Sequence, residues 1–545
     1  MRTLTADLLV LGGGLGGVAA ALTATRLGRH VVLVERSDWL GGQLTTQAVP
    51  PDEHRWIEGE HSSPAYRRLR ELVREHYRRA YPLRPAAAAD PLLNPGLGYV
   101  SRLCCEPRVA ALAVEELLSP AQGAGLLTVL RRTAATAVQR DGERIGEVLV
   151  HDLSDGRPTR LIAPLVADAT ELGDVLELAG VEHVVGAESR ARTGEPHAPD
   201  VADPLDQQAV TWCCALELRA GEEHVVERPA GYEHWRDTHD PRWPGPQLSF
   251  DDVVPETLAR RTRPLFAADP VLGERQPQRD LWQYRRLLAR AQLDPSFRGG
   301  EVTCVNWPQT DYWELPLLGV DGATRERALA GARDLTLSFV HWLQTEAPRH
   351  DGGTGYPQLR LRGDVTGTAD GLAKEVYVRE ARRIVAERTV TELDVGRLAR
   401  GDGAGSAQFT DSVGTGYYRI DLHPSTSGRT YVDIDCFPFQ VPLGALLPRD
   451  VVNLLAAAKN IGTTHVTNGA YRLHPVEFTI GEAVGALAAY CAEHGAAPSQ
   501  VRADPTHLER YQGLLSGTLG VPLAWPEEIR RFSATHDVAH VTVPA

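Results

Sequence analysis

The chain has 545 residues, more than a single hydrophobic core holds, so two domains with a smaller third are expected. Hydrophobic residues make up 43% and charged residues 23%, the balance of a soluble globular protein. The net charge of −14 argues against a nucleic-acid partner, and no apolar run nears the ~18 residues that cross a bilayer.

The N-terminus enters a strand-like run within a few residues and has no signal-peptide anatomy. A cytoplasmic location, with neither membrane nor nucleic acid as partner, is the expectation. The seven cysteines are Cys104, Cys105, Cys213, Cys214, Cys304, Cys436 and Cys491, and no C-x-x-C occurs. That spacing supports no iron–sulfur centre, zinc ribbon or dithiol pair, so free thiols and no metal are expected.

Residues 8–35 run as a short apolar stretch, glycines, an Ala-rich stretch, and a second apolar stretch closed by Glu35. This reads as strand, tight turn, helix, strand. Gly12, Gly14 and Gly17 form G-x-G-x-x-G. The first makes the turn, the second lets a pyrophosphate approach the backbone, and the third lets helix pack on strand. The helix start, at Leu15, offers free N–H groups to phosphate. Glu35, followed by Arg36, stands where a ribose diol would donate to it. Residues 8–35 therefore predict dinucleotide binding. Beyond them, Gly41, Gly42, Gln43 and Leu44 form a loop suited to lie along a cofactor.

Residues 62–81 read as a charged helix with Leu69, Leu72 and Val73 on one face and a solvated basic face. Residues 85–98 read as a Pro/Gly-rich loop and 106–118 as another helix. From 126 to 170 the period falls to two, with Asp-Gly turns: a β-meander that starts at LLTVLRR and ends in a fully apolar strand. Asp168, Ala169, Thr170, Gly173 and Asp174 follow that strand and make a second turn where backbone can meet a cofactor.

Residues 186–205 read as loop, 209–218 as a strand, and 322–346 as a long amphipathic helix. Residues 377–392 read as strand or helix, 401–407 as a flexible loop, and 416–425 and 431–446 as strands. Nucleotide-domain character returns at 451–458, a strand-like run. Asn460 and Gly469 follow it, and then comes a clear helix whose first turn holds Pro475, with Thr479 one turn on. That helix start is a second anion site. The expected division is 1–185 for a cofactor-binding domain, 186–445 for a substrate or cap domain, 446–498 for a return to the first, and 499–545 for a helical tail.

A single glycine fingerprint fits either NAD or FAD. The loop at Gly41, the meander before a second acid–glycine turn, and the late return of the chain favour FAD. At these residues the sequence resembles the FAD-dependent oxidoreductases of the glutathione-reductase-like superfamily. The resemblance is carried by GGGLGG with Glu35, GGQLTTQ, ADATELGD, YVREARRI, GYYRIDLHPS, VPLGALLP, NLLAAAKNIGTTH and GAYRLHPVEFTIGEAVG. It implies an α/β fold: a Rossmann-like FAD-binding domain with an inserted α+β substrate domain. It also implies redox chemistry on bound FAD. No flavin-attaching histidine pattern occurs, so the FAD is expected to be non-covalent.

A flavin enzyme of this kind moves a hydride between FAD and a small polar organic substrate, as a dehydrogenase or oxidase, and needs one base for one proton. His474 opens the last long helix. His423 shares a strand face with Asp421, and Tyr418 lies on the same strand. Arg472 suits a substrate carboxylate or the flavin carbonyl edge. His465 reads as part of a polar turn, and Arg379 and Arg382 as members of an Arg–Glu network. Trp307, Asp311, Tyr312 and Trp313 suit a polar pocket or plain packing, and His54 and His61 are weaker flavin-facing candidates. Two other readings remain: a monooxygenase reduced by NAD(P)H, and a non-catalytic FAD protein that transfers electrons or serves as a scaffold. The acceptor, oxygen or another, stays open, and a homodimer is compatible with the sequence.

Overall fold

The computed structural model describes residues 1–255, 257–267 and 280–532; the end of the expected tail, 533–545, lies outside the described residues. At its centre is a five-stranded parallel sheet in the order Leu454–Ala456, Leu165–Asp168, Leu8–Leu11, Val31–Glu35, Leu127–Arg131. The middle strands are apolar at nearly every position and wholly buried, as a parallel sheet covered on both faces requires.

The helix Leu15–Arg26 returns the chain from Leu8–Leu11 to Val31–Glu35. It packs against His474–His494, the last long helix. The approach is so close that it depends on missing side chains. A Cβ on Gly16 would overlap the Ala457 carbonyl, one on Gly481 the Gly16 carbonyl, and one on Gly485 the Ala20 carbonyl. Residues 446–498 thereby complete the core that residues 8–35 begin.

The meander differs from expectation in its first strand. Leu127–Arg131 is the edge strand of the parallel sheet, paired with Val31–Glu35. The meander proper is Thr133–Asp141, Arg144–Asp152 and Pro158–Ile162, and Arg2–Thr5 adds to its edge in parallel. Local alternation marks a strand but does not name its partner.

The inserted region has its own antiparallel sheet, ordered Arg286–Leu288, Val302–Val305, Cys214–Leu218, Leu359–Leu361. The helix Gly322–Thr345 contributes Phe339, Trp342 and Leu343 to a second core with Trp307 and Leu216. The expected strand 209–218 breaks into Val210–Thr211 and Cys214–Leu218, because its two halves pair with different strands. Residues 377–392 carry only a two-residue strand, Arg383–Ile384, and 416–425 only Ile420–Leu422. The 85–98 loop holds a five-residue helix, Pro85–Ala89, with proline at its first position, and 186–205 holds the turn Arg190–Thr193. The expected helices at 62–81, 106–118 and 322–346 are Pro64–Ala80, Pro107–Gly123 and Gly322–Thr345. All seven cysteines are buried and unpaired. Among the described residues no helix is long and apolar enough to cross a membrane.

Candidate cofactor cleft and the polar cluster beside it

A cleft of about 270 Å³ opens at the C-terminal ends of Leu8–Leu11, Val31–Glu35 and Leu165–Asp168. Of the residues singled out in the sequence, Gly12, Gly14, Glu35, Arg36, Gly42, Ala169, Thr170 and Asp174 line it. Gly12 turns with φ of +101°, and a Cβ there would overlap the Ala169 carbonyl. Gly14 and Gly42 face each other, so a Cβ on Gly42 would stand 2.8 Å from the Gly14 Cα. Side chains at these two positions would fill the space a diphosphate needs. Gly17 works in packing instead, since a Cβ there would overlap the Gly12 carbonyl. Gly14 caps the helix Leu15–Arg26 with no side chain of its own, and in the first turn the Gly16 amide donates to the Glu477 carboxylate at 3.4 Å.

Carboxylates crowd this cleft. Glu35 accepts the Gly13 amide at 2.6 Å and the Ser37 amide at 2.7 Å, and burial followed by the nearby Glu375 lifts its pKa well above the carboxylate range. Glu477 is likewise raised by burial; it receives Gln43 Nε2 and the Gly16 amide. Asp168, fully buried, is pushed up to about 7 by burial, although Thr170 donates to it from both backbone and hydroxyl. Its second oxygen has no partner. The buried Lys459 pairs with Glu171, which lines the cleft. The glycine cradle and this lysine behind it suit a dinucleotide.

The other sequence-chosen residues lie around the cleft without lining it. Leu15 is core, and Gly41, with φ of +114°, starts the turn Gly42–Leu44 that carries Gln43 and Leu44. Gln43 also donates to the Arg472 carbonyl at 2.9 Å. Gly173, left-handed, caps the short helix Asp174–Leu178. Asn460 ties the strand ends together by donating to the Asp168 carbonyl at 3.0 Å. Gly469 packs on the Asp421 backbone, Pro475 sits in the first turn of the last helix, and Thr479 packs on Gly414. Thr133, Ala134, Ala135, Trp212, Lys374 and Glu375 also line the cleft, and the sequence reading missed them. Small residues opening a meander strand carry no motif. Glu375 arrives from 363 residues beyond the Gly12 turn and meets Arg36 at 3.4 Å.

Near the start of the last helix lies a polar cluster. His423 Nδ1 is 2.5 Å from Asp311 Oδ2, and its Nε2 is 3.5 Å from Asp421 Oδ2. Asp311 is fully buried; Thr211 donates to it at 2.6 Å and Arg379 at 3.0 Å, and the Arg379 and His423 charges hold it below the usual carboxylate range despite burial. Arg472 donates to the Tyr377 hydroxyl at 2.6 Å and lies 3.3 Å from Asp421. The sequence pair Asp421–His423 is thus brought together, with Arg472 and Asp311 added. Tyr418, just before the strand, is half-buried within range of Asp421, Arg472 and Asp52.

His474 is placed apart from that pair. It is fully buried, its Nδ1 accepts the Asp52 amide at 3.3 Å, and burial lowers its pKa to about 4. His465 bonds Glu380 at 2.9 Å and Arg429. Arg382 reaches Glu177 and the Leu172 carbonyl, and Arg383 joins Glu380 at 2.5 Å and Glu188 at 3.1 Å, so the Arg–Glu network extends past 379–383. Trp307 and Tyr312 belong to the second core, and Trp313 packs on Trp243. His54 meets the Trp525 ring edge-on and His61 meets it at a tilt.

A family model described as FAD dependent oxidoreductase matches residues 7–514. None of the curated proteins matches the chain. Among solved structures, a geranylgeranyl bacteriochlorophyll reductase-like protein from Thermoplasma acidophilum is 11% identical, over 95% of this chain and 85% of that one, with a TM-score of 0.33. The glycerol-3-phosphate dehydrogenase from Bacillus halodurans complexed with FAD is 16% identical, over 39% of this chain and 40% of that one, with a TM-score of 0.23. The L-proline dehydrogenase from P. horikoshii is 17% identical, over 34% of this chain and 24% of that one, with a TM-score of 0.17.

Proposed function

The chain belongs to the FAD-dependent oxidoreductases, with FAD as its cofactor, and from that premise we propose that it oxidises a small polar organic molecule with His423 as the base. Bound FAD supplies the hydride acceptor. Gly12, Gly14, Gly42 and Lys459 would hold its diphosphate, and Glu35 its ribose.

The observation that carries the reading is the setting of His423. Asp311, immobilised by Arg379 and Thr211, accepts from Nδ1–H, which makes Nε2 the basic nitrogen. The His423 side chain keeps 17% of its surface exposed, whereas Asp311 keeps none. A buried carboxylate thus orients the ring, while Nε2 faces the partly exposed Asp421 at 3.5 Å, a carboxylate that a substrate O–H or N–H would have to displace or share. Nε2 would take the proton of a substrate O–H or N–H, and bound FAD would supply the acceptor for the hydride of the adjoining carbon, which leaves C=O or C=N. Asp311 and Asp421 stabilise the imidazolium that forms. We rank His423 ahead of His474, whose depressed pKa and complete burial make it a poor proton acceptor.

The test is anaerobic. Yellow holoprotein is mixed with pools of alcohols, amines, sugars and acids, and the flavin absorbance is followed. An organic substrate should bleach it, and His423→Ala should retain FAD but reduce roughly 10²–10⁴-fold more slowly. Bleaching by NADPH alone would point to a monooxygenase, and no bleaching by any small molecule to electron transfer between proteins; either outcome rejects the proposal.

A further inference from the structure

The buried arginines Arg70, Arg74, Arg379, Arg382, Arg383 and Arg472 all donate hydrogen bonds to carboxylates, hydroxyls or carbonyls. Arg285 is as buried, 8% exposed, and differs. Its Nε and Nη1 have no partner, and the nearest carboxylate oxygen, on Asp52, stands 3.6 Å from Nη1, beyond hydrogen-bond reach. Its guanidinium lies 5.0 Å from the centre of the Tyr284 ring. Asp52 keeps it charged, and its field reaches Tyr418 and His474.

A guanidinium carries five N–H donors in a planar fork. Leaving the Nε and Nη1 donors unspent in a dry site is unfavourable, whereas one bidentate acceptor relieves it. Arg472, which shares Asp52 and Tyr418 as neighbours, also has an unpartnered Nε. Arg472 stands 3.3 Å from Asp421, which in turn lies 3.5 Å from His423 Nε2, so the neighbourhood that the two cations share adjoins the histidine.

We propose that Arg285, seconded by Arg472, binds a carboxylate of the substrate, so that the molecule oxidised is a small organic acid with its reactive O–H or N–H toward His423. This rests on the oxidoreductase reading above. A singly charged planar group suits the site better than a phosphate dianion, because Asp52 and Asp421 already contribute negative charge there.

Oxidised holoprotein is titrated with acetate, glycolate, inorganic phosphate and ethylene glycol while the visible flavin spectrum is read. Acetate and glycolate should perturb it saturably, and phosphate and ethylene glycol should not. Arg285→Gln should weaken carboxylate binding at least tenfold and Arg285→Lys less, both with FAD content and the dithionite-reduced spectrum unchanged. The proposal is overturned if wild type takes neither carboxylate, if phosphate binds as well, or if Arg285→Gln binds carboxylate normally. It is also overturned if that variant only lowers the flavin midpoint potential, which would assign Arg285 to the anionic edge of the reduced cofactor. Carboxylate binding with no small-molecule bleaching would sink the oxidoreductase reading alone. Bleaching by neutral alcohols without carboxylate binding would sink this one alone.

Discussion

His423 and His474 are of one residue type, yet their surroundings differ. His423 meets a carboxylate at each ring nitrogen and keeps 17% of its side chain exposed, whereas the fully buried His474 meets a backbone amide. The same logic makes Asp311 doubly used. It orients His423 and neutralises Arg379, so Asp311→Asn should slow flavin reduction and also destabilise the fold by about 3 kcal/mol, by leaving a buried guanidinium unpaired. Stopped-flow reduction and urea unfolding measure the two effects separately. Asp168 offers a pH test. Its folded pKa of about 7 lies above the ordinary 3.8, so its stabilising contribution is complete below about pH 4 and is lost as pH rises through 7. Asp168→Asn keeps an acceptor for Thr170 and removes the titration. The variant without FAD should melt above wild type at pH 8 and lose that advantage by pH 4. Parallel melting curves at all pH values would mean Asp168 is ionised throughout.

At the scale of elements, the contact between Leu15–Arg26 and His474–His494 depends on Gly481 and Gly485, where any Cβ would strike the Gly16 or Ala20 carbonyl. Gly481→Val should therefore cost about 3 kcal/mol, as overpacking does, and a surface change such as Glu493→Gln almost nothing. Equal denaturant midpoints for the two variants would show that the helices separate to admit the side chain. The glycine fingerprint was legible because its steric duties are local: turn, approach and packing all fall within one strand–helix unit. The far wall of the cleft was not. Lys374, Glu375 and Trp212 reach it from the inserted region, and no spacing in the sequence joins them to Gly12. The pair Asp421–His423 could be read because two residues on one strand share a face, but Asp311, Thr211 and Arg379 join it only through folding.

For the molecule as a whole, the cleft joins lining residues between Leu11 and Asp174 with others between Trp212 and Val378 in the inserted region. FAD bound there should stabilise the whole rather than one part. At a free concentration one hundred times its Kd, binding to the folded state alone contributes about 2.7 kcal/mol. Stripping the cofactor should accordingly lower the melting temperature, and adding FAD back should restore it. A preparation that stays colourless in excess FAD and melts unchanged would contradict the assignment.

The amino-acid order by itself determined the nucleotide-binding start, since strand, glycine turn, helix and acid depend on short-range patterns, and the family resemblance added FAD as the cofactor. Only the tertiary structure decided that Leu127–Arg131 leaves the meander for the parallel sheet, that His423 meets Asp311, and that Arg285 stands buried with its Nε and Nη1 without a hydrogen-bond acceptor. Strand partners and buried charge pairs depend on contacts between distant segments. A local pattern limits such contacts, and only the packed chain selects among them.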